Sequence, residues 1–218
     1  MTGQRIELPR IPAHVVPQQR PASAVPEVPS AGHALVPVPS LTATIRLAGA
    51  VAAILAVACG AIALIIHVAL AAAARKWLAF PFTGIPARPA MATSIFLHNL
   101  RALAAVWGLV LIAQSALWLS REPGRASAIL RRSGEVLLGA AVAANVIVVG
   151  ASFGAYGTRM LRAILPHGPL ELAGYSLAFA LYLQSRRRPL PLRLALSVTV
   201  LSIAALALAA VLETYLNV

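Results

Sequence analysis

From residue 45 onward the chain is a succession of long apolar stretches broken by short segments that carry arginine, proline or both. The first runs from about Ile45 to Ala74 and ends at Arg75, Lys76 and Trp77. As a helix it would be about 45 Å long, against a hydrocarbon core of about 30 Å, so it must tilt or project at one end. Further stretches run from about Ser94 to Leu119, Glu135 to Tyr156, Pro169 to Gln184 and Leu192 to Leu216. Runs of this length satisfy every backbone polar group within their own segment, as a lipid solvent demands. The pattern predicts an all-α fold: a polytopic transmembrane helix bundle of about five spans.

The breaks sharpen this picture. Pro81, Gly84, Pro86 and Pro89 interrupt any helix after the first stretch, and Phe80 and Phe82 are expected at the headgroups. Gly139, Gly150 and Gly154 lie among many alanines in the third stretch, a composition that lets helix backbones approach closely, and predict it as a central helix. The fourth is short, so Leu161 to Leu165 reads as an added apolar re-entrant or interfacial piece. Before all of these, prolines recur every few residues from Pro9 to Pro39 and leave no helical or strand period. Residues 1–40 therefore read as a disordered or polyproline-II tail, and residues 41–218 as the transmembrane domain. The tail holds no apolar stretch resembling a signal sequence, which leaves insertion to the first span.

Composition agrees: 60% of residues are hydrophobic, the mean hydropathy is +0.83, and 11% are charged, against about a quarter in a soluble domain. The net charge of +12 could indicate nucleic acid, but the basic residues flank the apolar runs and form no stripe with interleaved aromatics. They orient the chain instead. With the tail in the cytoplasm, the inner segments carry Arg5, Arg10, Arg20, Arg46, Arg121, Arg125, Arg131, Arg132, Arg186, Arg187, Arg188 and Arg193. The outer ones carry Arg75, Lys76, Arg88, Arg159 and Arg162. This predicts the N-terminus inside and the C-terminus outside. Cys59 is the only cysteine, so no internal disulfide and no paired-thiol metal site can form; it reads as a small core residue.

That topology brings polar residues distant in sequence towards one leaflet: His98, Asn99 and Arg101, then Tyr156, His167 and Glu171, then Glu213. Arg101 lies about 9 Å into its span, where it costs about 1–3 kcal/mol unless it snorkels or pairs. Arg101 and Glu213 each oppose the local helix dipole, so Arg101 is predicted to pair with Glu213 or Glu171, the alternative being that both snorkel to water. Pro166-His167-Gly168-Pro169 breaks the chain ahead of the fourth span, with Glu171 placed to cap its first turn. Asn145, deep in the third span, must bond to a neighbouring helix or to backbone. The intramembrane polar cluster His98, Asn99, Arg101, Asn145, His167, Glu171 and Glu213 is thus the candidate site. It lacks the short paired spacing of dedicated metal ligands, so no metal or other cofactor is expected. Gly150-Ala151-Ser152-Phe153-Gly154 matches the G-x-S-x-G pattern of serine hydrolases, but in a helix of small residues rather than a strand-turn-helix, so no catalytic residue is expected.

Phe96-Leu97-His98-Asn99-Leu100-Arg101, Ala144-Asn145, Leu165-Pro166-His167-Gly168-Pro169-Leu170-Glu171-Leu172 and Ala210-Val211-Leu212-Glu213-Thr214-Tyr215 follow one another in an order that resembles the stage II sporulation protein M family of bacterial membrane proteins. The resemblance covers about Ile95 to Val218, and Pro-His-Gly-x-x-Glu is its most specific part. It implies a multi-pass protein of the bacterial cytoplasmic membrane, a non-enzymatic scaffold that anchors envelope partners, as peptidoglycan-degrading proteins are anchored in sporulation. Other relatives imply an alternative, a permease-like subunit of an ABC-type exporter. Expected partners are the lipid bilayer and other membrane or envelope proteins, an ATPase subunit in the exporter alternative, with a homo-oligomer left open; nucleic acid is not expected.

Overall fold

The computed structural model describes residues 39–80, 82, 86–118 and 125–216. The tail reading, apart from its last two residues, and Arg121 lie outside the described residues. Every regular element among them is helical. The elements are α1 (Leu41–Ile65), a π-helical turn (Ile66–Leu70), α2 (Ala71–Leu78), α3 (Pro89–Trp118), α4 (Arg125–Tyr156), α5 (Thr158–Ile164), α6 (Gly168–Ser185) and α7 (Leu192–Tyr215). Among the described residues four segments are long and apolar enough to cross a membrane: Leu41–Leu78, Pro89–Ser115, Ala128–Tyr156 and Leu192–Tyr215. The chain is a membrane-embedded helical protein.

Helix ends follow local chemistry. Ser40 caps α1, its hydroxyl accepting from Ala43 N at 3.2 Å. Pro89, expected to lie in a helix-breaking connector, instead opens α3, where a missing N–H costs nothing because the first helical amides have no intrahelical acceptor. Gly157, at φ +57°, turns the chain out of α4 and into α5, which occupies the place of the expected interfacial piece.

Hydrogen bonds across the bundle set its directions. Thr44 at the start of α1 donates to Gln184 at the end of α6, and Gln114 near the end of α3 reaches Ser185 and Arg188. Tyr182 reaches Glu135 in the first half of α4. The end of α4 meets the end of α2 through Tyr156. Accordingly α1, α4 and α7 run one way and α3 and α6 the other.

The central helix is α6, not the glycine-bearing third stretch. It packs against α7, α1 and α3. Its buried residues include Gly174, Ser176, Ala178, Ala180, Leu181, Tyr182, Gln184 and Ser185. A helix enclosed by protein can carry serine, tyrosine and glutamine, and this polar content keeps α6 out of the four segments apolar enough to face lipid. By contrast α4 exposes Val136 and Leu137, each 70% accessible, which in a membrane face acyl chains. The apolar core joins Leu103, Val106, Leu109 and Val110 of α3 with Ala178 and Leu181 of α6 and Leu194, Val198 and Leu206 of α7.

The glycines of α4 act at its edge with α1. A Cβ at Gly150 would lie 2.9 Å from Cys59 O, and one at Gly154 would lie 2.5 Å from Ala63 O. Gly150 and Gly154 therefore let two backbones touch, as small residues four apart do in membrane helices. The seam also includes the Cys59 thiol, 3.8 Å from Val146 O.

Candidate functional site

At the end of the bundle where α3 and α6 begin and α7 finishes, a cavity of about 380 Å³ is lined by Ser94, Ile95, His98, Asn99, His167, Glu171 and Glu213. Five of the seven residues expected to cluster meet here, from three helices. Local chemistry places them. His167 is the N-cap of α6, and Pro169 enters the first turn, so the chain bends and Glu171 emerges one turn from His167. The Leu170 and Glu171 amides both donate to His167 O, at 3.0 and 3.2 Å.

The inner wall of the cavity is a hydrogen-bonded pair. Asn99, 9% accessible, donates from Nδ2 to Glu171 Oε1 at 2.6 Å. This is a charge-assisted bond, about twice as strong as a neutral one. Tyr175 Oη, one turn deeper on α6, donates to Asn99 O at 3.2 Å and ties α6 to the same point of α3. His167 Nδ1 is buried with no hydrogen-bond partner among the described residues. The lining thus presents carboxylate and amide oxygens and imidazole nitrogens, a set richer in acceptors than in donors when the histidines are neutral. No group of three or more His, Cys, Asp or Glu among the described residues is arranged to hold a metal ion.

The other two expected members lie elsewhere. Arg101 is exposed and forms no ion pair among the described residues; its expected pairing with Glu213 or Glu171 does not occur. Residues two apart on a helix point about 200° apart, so with Asn99 directed into the bundle Arg101 is directed out of it. Asn145 also faces outward, its Nδ2 donating to Ala141 O at 2.9 Å, one turn back in α4. Its backbone bond is as expected, but it joins no neighbouring helix. Ser152 lies inside α4 and its hydroxyl donates to Val148 O at 2.8 Å, so Gly150 to Gly154 is a helix-packing element and has no strand-turn-helix geometry.

No family model, curated protein or solved structure matches the chain.

Sequence reasoning missed the polar network at the opposite end. Gln114 Nε2 donates to Ser185 O and Arg188 O, both at 3.1 Å, while its Oε1 accepts from Leu190 N at 2.9 Å. One side chain thereby pins the turn between α6 and α7. Beside it Tyr182 Oη donates to Glu135 Oε1 at 2.6 Å, and Arg186 Nε lies 3.3 Å from the same oxygen. The signal available in the sequence was a polar residue at matching depth on several spans: Gln114, Glu135 and Gln184. Phe80 and Phe82, expected merely at the headgroups, form an aromatic cluster with Tyr156, and Arg159 sits 4.1 Å over the Phe82 ring.

Proposed function

We propose that this protein is a non-enzymatic scaffold of the bacterial cytoplasmic membrane, with five spans, its N-terminus inside, and the polar cavity opening at the outer face to receive an envelope partner. The alternating helix directions support five passes, the enclosed α6 being the fourth. The distribution of arginines supports the orientation. The order of the His98-Asn99, Pro166-His167-Gly168-x-x-Glu171 and Glu213 elements supports likeness to the stage II sporulation protein M family.

The convergence of those elements on one cavity carries the proposal. An acceptor-rich recess bearing Glu171 and Glu213 suits a cationic side chain, a lysine or arginine of a partner segment, which would bring further donors to the two carboxylates. Transport is the weaker reading because Leu103, Val106, Ala178 and Leu206 occupy the turns below the cavity, each at most 2% accessible. Ser176 and Ser202 lie at that depth too, but both are fully buried and open onto no path.

A photo-crosslinking residue at Ser94, introduced in native membranes, provides the test. A partner captured there, and lost when Glu171→Gln and Glu213→Gln are combined, supports the scaffold reading; capture independent of both carboxylates would sink it. A reporter active only outside the cytoplasm, fused after residue 218, should be active. An inactive fusion alongside an active inner-loop fusion would reverse the topology.

A further inference from the structure

The end of the bundle opposite the cavity carries a different chemistry. Gln184, Glu135 and the turn after Ser185 bring together Arg46 of α1, Arg131 and Arg132 of α4, Arg186 and Arg187 of the turn, and Arg193 of α7. Among the described residues Glu135 is the only carboxylate at this end, and it is already engaged by Tyr182 and Arg186. With Arg188 of the same turn, the arginines at this end far outnumber the one glutamate among the described residues and leave the surface strongly positive.

We propose that this surface binds anionic phospholipid headgroups. Three observations single out a lipid. First, Arg46, Arg131, Arg132 and Arg193 lie in the first two turns of the apolar segments that begin at Leu41, Ala128 and Leu192, which is the level of the phosphates in a bilayer. Second, exposed apolar side chains adjoin them: Ile129 and Leu130 on α4, 64% and 59% accessible, and Leu192 on α7, 72% accessible. An amphiphile fits a cationic rim beside an acyl-facing wall, whereas an acidic peptide or nucleic acid would leave that wall bare. Third, the cations are held in place. Gln114 fixes the turn that bears Arg186 and Arg187, so less conformational freedom is lost when a phosphate is bound. Arg131 Nε is buried and has no acceptor among the described residues, leaving a guanidinium donor for a phosphate oxygen.

Lipid binding at this end depends neither on the cavity's role nor on which leaflet the end meets. It is tested on the full chain in detergent, titrated with short-chain phosphatidylglycerol or phosphatidylcholine and read by native mass spectrometry. Phosphatidylglycerol should bind preferentially, and the preference should shrink as salt is raised. In Arg132→Gln/Arg187→Gln, which leaves the Glu135–Arg186 pair in place, the preference should fall about 5-fold for each arginine neutralised. Arg88→Gln/Arg162→Gln, at the cavity end, should retain it. Equal binding of the two lipids would overturn the proposal, as would loss confined to the cavity-end variant. An acidic protein segment that competes lipid away and binds more tightly would assign the surface to a protein partner instead.

Discussion

Alanine at Gly154 probes the α1–α4 seam. A Cβ there falls 2.5 Å from Ala63 O, 2.7 Å from Ile66 Cβ and 3.0 Å from His67 N. Two of the three obstacles are backbone atoms, so no rotamer change relieves them. Ordinary contact begins near 3.4 Å, and the difference from 2.5 Å requires α1 to withdraw by about 0.9 Å at this level. A gap of that size forfeits about a quarter to a half of the dispersion well for each atom pair along the seam. It also stretches the contact between His67 Nδ1 and Gly154 O, now 3.3 Å. Overpacking costs about 1–3 kcal/mol, and backbone obstacles put this site in the upper half of that range. Alanine recovers about 1 kcal/mol of helix propensity over glycine, leaving a net loss of about 1–2 kcal/mol. Gly139 is the internal control, because a Cβ there meets nothing within 4 Å. Gly139→Ala should be neutral or stabilising by up to about 1 kcal/mol. Thermal unfolding of both variants in one detergent, beside the parent, should order them Gly139→Ala, parent, Gly154→Ala. A Gly154→Ala midpoint at or above the parent's would refute a seam of touching backbones.

Other substitutions test the polar ends. Gln114→Leu keeps the volume but removes three hydrogen bonds to the α6–α7 turn, and should cost about 2–3 kcal/mol and speed proteolysis at residues 186–190; unchanged cleavage would contradict the pinning role. A double-mutant cycle with Asn99→Ala and Glu171→Ala should give a coupling of about 1.5–3 kcal/mol for the 2.6 Å bond, and additive effects would show the pair to be unlinked. Arg101→Gln should change stability by less than about 0.5 kcal/mol and show no coupling to Glu213→Gln, since its side chain lies outside the bundle. A large coupling would restore the Arg101–Glu213 pair.

The solvent explains which features the amino-acid order determined alone. Lipid leaves no partner for backbone amides, so the apolar lengths and their arginine-bearing breaks mark the helices, closely for 192–216 against Leu192–Tyr215 and 169–184 against Gly168–Ser185, whereas α4 begins at Arg125, ten residues before the expected 135, because a helix continues past the apolar run into its arginine-bearing end. Alternating direction then places His98, Asn99, His167, Glu171 and Glu213 at one end, because depth is read by counting residues from a break. Rotation about each helix axis is not read that way. It is set by which neighbour a face meets, and only the packed bundle decided that Asn99 turns inward while Arg101, about 200° round, turns out. The same holds for Asn145, deep in its span yet directed away from the bundle. It also holds for α6, expected only as a short span, whose enclosure by α1, α3 and α7 makes it the centre. Depth is a one-dimensional property of a chain in a bilayer; facing is a property of pairs of helices, and the tertiary structure alone supplies it.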